Sequence, residues 1–467
     1  MSSAAHPDHN RPTTAVVGLL AFAGLIVTIL QTMVVPLIPE LPTILRVSPA
    51  DASWMVTATL VAGAVATPAL TRLADMVGKR RMLVVSMGLV VLGSICVALT
   101  DTFAMAVVGR ALQGMGTAVV PIAMGVMRDL LPAARLPGAV ALMSAMFGIG
   151  GAVGLPTSGL IYHAWGWEAI FWVIAIAGAL LMLGFVLLIP PLARGTGGRF
   201  DWPGTIFLSA ALIGLLLAIT KGGEWGWFTG RTGLALVVGA IGFAIFVPWV
   251  LRRRDPLVDL ATAMRRPVLL ANVSAGLISF AMYVNMLTTT QMLQVPVPGF
   301  GMNAATAGLA MLPAAFMSVA LAPVSAWLIG RYGARATMLL GASVLGVGYL
   351  LRTVLVGEVW LVIVGAAGLS VGSAIALATM PVLIMQEVPM NQTAAANGLN
   401  SLIRSIGTST SSASVAAVLA GSTTVIAGLV VPTPGAFALI HLIAGLAALV
   451  AGVLIFLVPR RPASERG

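Results

Sequence analysis

The sequence predicts an all-α, polytopic membrane protein with fourteen transmembrane helices. Hydrophobic residues make up 59% of the 467 residues and charged residues only 8%, against about 25% charged residues in soluble domains. The apolar residues form runs of about 20, the length that a helix needs to cross the hydrocarbon of a bilayer. Basic residues are concentrated between these runs, as in membrane loops. A chain so poor in charge must place most of its surface in lipid.

Fourteen segments have the required length. The first begins at Ala15 and is too long for the core of a signal peptide, so we expect it to be retained as a span. Proline and glycine inside several runs are compatible with membrane helices. The predicted spans are residues 15–38, 53–71, 82–100, 103–127, 138–161, 168–190, 204–220, 232–251, 268–294, 305–329, 337–356, 358–382, 395–419 and 435–458.

The basic residues determine the expected topology. With the N-terminus in the cytoplasm, 19 of the 25 lysines and arginines fall in cytoplasmic loops and tails. This asymmetry follows the positive-inside rule and predicts that both termini are cytoplasmic. Arg110 and Arg404 fall inside spans. The remaining four lie in outer loops or at their edges, namely Arg46, Lys221, Arg231 and Arg352.

Two loops at matching places resemble each other. Residues Leu70–Arg81 follow span 2 and Ser325–Met338 follow span 10, and both carry basic residues around a glycine. Such repetition predicts two homologous halves, a common plan in transporters. The chain then divides into a cytoplasmic tail (1–14), an N-terminal six-helix bundle (15–190), a linker with two inserted helices (191–267), a C-terminal six-helix bundle (268–458) and a second tail (459–467).

The first of these loops is a candidate conformational gate. Asp75 can form charge-assisted hydrogen bonds with Lys79, with Arg80 and with neighbouring helix ends. Gly78 permits a tight turn that a side chain would obstruct. A network of this kind could hold one conformation and release it in another. The alternative is an ordinary cytoplasmic loop that obeys the positive-inside rule.

Arg110 and Gln113 form a candidate polar patch in span 4. A charge inside a span costs several kcal/mol (roughly 2–4 on insertion scales) unless it is paired or hydrated, so it indicates function by default. Gln113 lies one turn away on the same helix face. We expect the patch to favour neutral, zwitterionic or anionic compounds over lipophilic dications. The alternative is an arginine that extends its side chain to the outer interface.

Span 5 is rich in glycine. Gly150, Gly154 and Gly159 would let neighbouring helices approach closely, and Pro156 would bend the helix axis. Such a span commonly serves packing alone.

These motifs resemble those of the major facilitator superfamily. Residues 71–81 resemble its GxxxDxxGRR loop, with Thr71 in place of the first glycine and with matches at Asp75, Gly78, Lys79 and Arg80. Residues 110–116 resemble the RxxQGxG motif of its proton-coupled exporters, in which the arginine is implicated in proton transfer. Residues 148–159 are similar to the GxxxGPxxGG antiporter motif, with the proline one place late.

Other segments resemble the fourteen-span drug:proton antiporter family. These are Phe200–Gly204, Lys221–Trp227 and the segment 397–407. The resemblance implies a major facilitator fold with two six-helix bundles and two inserted central helices. It also implies proton-coupled efflux of lipophilic small molecules, such as antibiotics, by alternating access across a bacterial plasma membrane.

The chain departs from that family in span 1, where Gln31 takes the place of an aspartate. No Asp or Glu lies deep in any predicted span, and a membrane acid is the simplest proton carrier. A uniporter or importer without proton coupling therefore remains an alternative, as does a membrane sensor that has lost transport. The candidate pocket residues are the mid-span polar residues Gln31, Thr32, Ser144, Tyr283, Asn285, Gln291 and Asn400, together with Arg404.

The sequence indicates no enzyme. His163 and His441 have no acidic or cysteine companions at ligand spacing, so no metal site is expected. A phosphate-binding loop ending in GK[ST] is absent from the sequence. We expect no cofactor other than the proton gradient that the family resemblance implies. The expected partners are a small-molecule substrate and the lipid bilayer, with no nucleic acid, and the protein is expected to be monomeric.

The topology can be tested with reporter fusions placed after Arg254 and after Arg461. Both should report a cytoplasmic location, because the basic residues of those segments fall on the same side as the N-terminus. A periplasmic signal at either fusion would contradict the predicted topology.

Overall fold

The computed structural model describes residues 10–34, 37, 41–52, 54–132, 134–190, 200–253, 263–295, 299–302, 304–354, 357–388, 393–426 and 429–458. It consists almost entirely of helices, as predicted. Within these residues, 11 helical segments are long and apolar enough to cross a membrane. One of them, Thr306–Arg352, is 47 residues long. This stretch comprises several successive helices with a non-helical residue at Gly333, and it is long enough for more than one span of about 20 residues. The count of fourteen spans stays a prediction.

The N-terminal half contains most of the short interruptions. Its helices are α1 (Asn10–Thr32), α2 (Leu41–Leu45), α3 (Pro49–Ala52), α4 (Trp54–Val77), α5 (Lys79–Ala98), α6 (Phe103–Gly116), α7 (Val119–Leu130), α8 (Leu136–Trp165) and α9 (Trp167–Leu188). The helices α2 and α3 lie between the first two predicted spans. The central segment contributes α10 (Trp202–Trp225) and α11 (Gly230–Leu251).

The C-terminal half is also mainly helical. It contains α12 (Arg266–Gln294), α13 (Ala304–Ala310), α14 (Leu312–Ala320), α15 (Ala322–Arg352), α16 (Val359–Glu387), α17 (Thr393–Gly421), β1 (Thr423–Ile426), β2 (Leu429–Pro432) and α18 (Pro434–Phe456). Within α15, Gly333 has φ 82° and ψ 159°, which are not helical. Gly78, between α4 and α5, also has a positive φ, of 119°. The two related loops thus both turn at a glycine, in a backbone region that other residues rarely enter.

A β-hairpin between α17 and α18 is a departure from the predicted all-helical fold. Strands β1 and β2 pair antiparallel, with Thr423 opposite Pro432 and Ile426 opposite Leu429. The segment is rich in Thr, Val and Ile, whose branched side chains favour extended backbone. Hydropathy alone did not reveal it, because four-residue strands carry too short a pattern.

Small residues bring the first-half helices together. A Cβ at Gly114 of α6 would overlap the backbone of Thr59 in α4, and one at Gly93 of α5 would overlap Gly109 in α6. Membrane helices commonly associate through such small residues because lipid supplies no hydrophobic force between them. This close packing holds α6 between α4 and α5.

The two inserted helices cover a seam between the halves. They pack against each other at Gly214 and Gly239, where a Cβ would meet the facing backbone. A buried apolar cluster joins them to α4 of the first half and α17 of the second; it comprises Val61, Ala64, Leu208, Leu212, Leu216, Phe246, Val250 and Leu402. The insert therefore contacts both halves.

Candidate functional site

Arg110 lies at the centre of a buried hydrogen-bond network in the first half. Its side chain is 0% exposed. Its Nε donates to Met55 O at 2.7 Å, and its Nη1 donates to Leu30 O at 3.2 Å and to Gln113 Oε1 at 2.7 Å. Gln113 Nε2 in turn donates to Ser94 Oγ at 2.8 Å. The structure thus brings together Arg110 and Gln113, as their spacing predicted.

The acceptors of Arg110 explain how a cation is held there without a carboxylate. Leu30 is among the last four residues of α1, whose carbonyls have no partner within the helix. Those carbonyls form the negative end of the helix dipole, which favours a cation. The full burial of Arg110 differs from the alternative of a side chain extended to the outer interface. Its proposed role in proton coupling stays a prediction.

Arg352 forms a second network in the other half. The sequence analysis counted it among the basic residues of the outer loops or their edges, and its side chain is buried, 2% exposed. Its Nη1 donates to Asn285 Oδ1 at 2.6 Å and its Nη2 to Thr289 Oγ1 at 2.7 Å. Asn285 Nδ2 donates to Ala366 O at 3.2 Å, so the network ties α12, α15 and α16 together. The sequence feature that could have indicated this network is the spacing of Asn285 and Thr289, which places both on one helix face.

Lys221, also counted with the outer loops and their edges, is buried as well. It is 1% exposed and its Nζ lies 2.9 Å from Glu224 Oε2. The same Nζ lies 5.1 Å from the centroid of the Trp54 ring, at the start of α4. Lys221 therefore fastens one end of α10 to the first half.

The candidate gating loop is tied to the ends of neighbouring helices. Lys79 forms its ion pair with Asp129 at the end of α7, at 2.8 Å and 2.9 Å from the two carboxylate oxygens. Arg80 donates to Val186 O near the end of α9. Asp75 is 4% exposed on α4. The basic residues of the loop therefore bind helix ends of their own half, as one part of the prediction stated.

The two halves meet at the end of the molecule that carries this loop. Arg128 Nη2 of α7 donates to Val388 O, just after α16, at 3.0 Å. Thr71 of α4 lies against Gly398 of α17, where any Cβ would overlap the Thr71 side chain. The family has a glycine at the position of Thr71. In this chain the facing helix supplies the glycine that permits close approach.

The glycine-rich helix α8 packs on α1 through two of its predicted residues. A Cβ at Gly150 would meet Leu25 O and the Thr28 side chain, and one at Gly154 would overlap Thr32. Thr32 Oγ1 donates to Gly150 O at 3.3 Å. A Cβ at Gly159 would meet nothing within 4 Å, so that glycine is not required by packing. The side chain of Pro156 lies outside the described residues.

The structure does not gather the candidate pocket residues into one cluster. Thr32 belongs to the contact between α1 and α8, and Asn285 belongs to the Arg352 network. Asn400 Nδ2 donates to Asn272 Oδ1 at 3.1 Å, between α17 and α12. Arg404 faces the first half, with Cζ 5.6 Å from the centroid of the Phe147 ring. Partly exposed side chains are those of Gln31, Tyr283 and Gln291, and the side chain of Ser144 lies outside the described residues.

Comparison with known proteins gives consistent matches along the chain. The family model described as Major Facilitator Superfamily matches residues 20–412 and, in a second match, residues 275–467. The chain is 30% identical over 403 residues to the multidrug resistance protein Stp of Mycobacterium tuberculosis (strain ATCC 25618 / H37Rv), a match that covers 85% of this chain and 74% of that protein.

Two further similarities concern an export protein and a solved structure. The tetracenomycin C resistance and export protein of Streptomyces glaucescens is 29% identical over 413 residues, covering 86% of this chain and 75% of that protein. The crystal structure of the human organic anion transporter MFSD10 (TETRAN) has a TM-score of 0.66 at 17% identity, covering 95% of this chain and 99% of that chain. At this identity the solved structure bears on the fold alone.

Substitution of Arg110 tests the first-half network. We expect Arg110→Ala to lose most transport and to lower the thermal stability, because it leaves Met55 O, Leu30 O and Gln113 Oε1 without their charged donor. Each buried acceptor left without a donor costs about 1–3 kcal/mol. Arg110→Lys should also lose transport, because a lysine keeps the charge but not the planar fork of donors. Melting temperature and vesicle transport would be measured, with exposed Arg231→Lys as control. Near-normal transport by Arg110→Ala would contradict the role of the network.

Substitution of Asp75 tests the gate. We expect Asp75→Asn to slow transport several-fold while the substrate dissociation constant stays unchanged. The reason is that Asp75 lies on α4, which contacts α17 at the end of the molecule where the halves meet. Rate and affinity would be measured separately in the same preparation. Asp201→Asn is a matched control, since Asp201 is also buried but caps α10 within the insert. A wild-type rate for Asp75→Asn would rule out the gating role.

Proposed function

This chain belongs to the Major Facilitator Superfamily, and on that premise we propose that it is a proton-coupled exporter of lipophilic small molecules that works by alternating access. The observation that carries the proposal is the contact between the halves at one end of the molecule. Arg128 with Val388 and Thr71 with Gly398 are contacts that can separate without unfolding either half. Opening that end and closing the other would expose a central site to each side of the membrane in turn.

The internal networks support movement of each half as a unit. The described hydrogen-bond acceptors of Arg110 lie in α1, α4 and α6, and those of Arg352 lie in α12. Removing one partner of a buried charged pair costs several kcal/mol (about 3–5). The rocking motion would therefore occur at the contact between the halves.

The relatives support an outward direction of transport and lipophilic small molecules as substrates. Two proteins that resemble this chain over most of its length are named for multidrug resistance and for tetracenomycin C resistance and export. The chain is a multi-pass protein of the inner membrane. We propose for it the same outward direction, fourteen spans with both termini in the cytoplasm, and a monomeric state.

Proton coupling is the part of the proposal for which a specific alternative exists, namely transport without protons. Gln31 stands where the family places an aspartate, and neither α1, α8, α12 nor α17 contains an Asp or Glu. These four helices thus lack the simplest proton carrier. This observation favours transport without protons as a second candidate.

Two measurements test the function. Expression in an efflux-deficient bacterial host should raise the inhibitory concentration of several lipophilic antibiotics at least fourfold over Arg110→Ala, a variant expected to be inactive. Uptake of the same compounds into inverted vesicles should rise when a pH gradient is imposed and fall when it is collapsed. Uptake that ignores the pH gradient would establish transport without protons. No change in susceptibility across the panel would contradict the efflux function.

A further inference from the structure

Among the described residues, Arg110 and Arg352 are buried in the helical bundle and Arg404 is partly exposed, and the three differ in their hydrogen-bond partners. Arg110 has three acceptors and Arg352 has two. Arg404 has no hydrogen bond to any described residue, and its Nε is buried without a partner. Among the described residues, its guanidinium contacts the ring of Phe147. Of the three, Arg404 is the arginine for which the described residues supply no hydrogen-bond acceptor.

Arg404 lies in the middle of a helix, away from either membrane surface. It is the twelfth of the 29 residues of α17, so its Cα lies about 16 Å from the helix start at 1.5 Å per residue. A guanidinium at that depth costs several kcal/mol (roughly 3 on insertion scales) unless acceptors or water surround it. Attraction to one phenyl ring is weaker than this cost. The position calls for a further, negatively polarised partner.

The contact with Phe147 indicates that Arg404 lies near the centre of the molecule. Residues 147–150 of α8 read Phe-Gly-Ile-Gly, and residues 404–407 of α17 read Arg-Ser-Ile-Gly. Gly150 packs against the backbone of α1, the first helix of its half, and Gly407 packs against the backbone of Gly276 in α12, the first helix of the other. Phe147 and Arg404 thus occupy matching positions in the two halves. Matching residues of a repeat related by a two-fold axis can touch each other only close to that axis.

The two helices that carry this pair contain no carboxylate. Neither α8 nor α17 contains an Asp or Glu, and the same holds for α1 and α12, on which they pack. A cationic ligand would meet an unneutralised guanidinium there and would be repelled. An anionic group would find a planar fork of donors suited to a carboxylate or sulfonate. Phe147 offers an aromatic face for an adjoining ring.

We propose that Arg404 and Phe147 form a central binding site for lipophilic organic anions, with Arg404 holding the anionic group and Phe147 the aromatic body. The proposal rests on the export function proposed above but not on its proton coupling. An anion leaving a cell that is negative inside moves with the membrane potential. An anionic substrate would therefore need neither a counter-charged acid nor a proton carrier, which agrees with the absence of acids from α1, α8, α12 and α17.

The test compares two probes with nearly the same aromatic body. 8-Anilinonaphthalene-1-sulfonate is an anion, and N-phenyl-1-naphthylamine is its neutral counterpart without the sulfonate. Binding of each to the purified full chain in nanodiscs of zwitterionic lipid would be followed by fluorescence. We expect Arg404→Gln to raise the dissociation constant of the sulfonate about tenfold or more, and to leave that of the neutral probe within about twofold. Exposed Arg231→Gln, which removes the same charge outside the bundle, should change neither.

A second variant keeps the test decisive if Arg404→Gln fails to fold. Arg404→Lys should weaken sulfonate binding about threefold, because the charge remains but the fork of donors is lost. Equal binding of the sulfonate by wild type and variant, or equal weakening of both probes, would overturn the anion site.

Export of the neutral probe from whole cells separates this inference from the efflux function. If the wild type exports the neutral probe and Arg404→Gln binds the sulfonate with unchanged affinity, the anion site is ruled out and the efflux function stands. Failure of the wild type to export either probe would count against the efflux function and the anion site together.

Discussion

The rest of this structure depends on the need to satisfy arginine guanidinium groups inside an apolar bundle without carboxylates. Arg110 is fully buried and binds two backbone carbonyls and one side-chain amide. Arg352 binds an amide oxygen and a hydroxyl. Neutral acceptors of this kind hold the charge through dipoles that are already fixed by helix geometry. They bring together several helices of one half, because no single helix can supply them all.

This way of holding charge has consequences for movement. Each network lies within one half, so the strongest polar contacts of the molecule do not cross between the halves. The described contacts that do cross include a hydrogen bond from Arg128 to a backbone carbonyl, the close fit of Thr71 on Gly398 and the approach of Arg404 to Phe147. The buried networks of Arg110 and Arg352 therefore each hold together the helices of one half. That distribution is what a rocking motion requires.

The inserted helices add a constraint to this motion. Their apolar cluster contains Val61 of α4 and Leu402 of α17, which belong to different halves. Lys221 attaches one end of α10 to Trp54 at the start of α4. If the halves rock as proposed, the contact of Lys221 with Trp54 would keep the insert with α4 at that end, and movement would occur along α17. Apolar surfaces permit such sliding because their contacts have no preferred direction.

Hydropathy and charge placement were sufficient to predict the helical membrane fold, because the bilayer imposes a length and composition on every span. The spacing of Arg110 and Gln113 was also sufficient to place them together, since residues three apart share a helix face. The positions of Arg352 and Lys221 could not be predicted in the same way. Both stand at helix ends, where composition does not distinguish a surface charge from one buried by neighbouring helices.

Tertiary structure alone decided which charged and polar groups are already satisfied. Lys79 binds Asp129, fifty positions further along the chain, and Arg110 binds the carbonyl of Leu30 on another helix. Arg404 has no such partner among the described residues and lies against Phe147 of the other half. Side-chain type and spacing state what a residue can bind. Which partner it meets depends on helices far apart in the sequence, because packing in three dimensions brings their surfaces together.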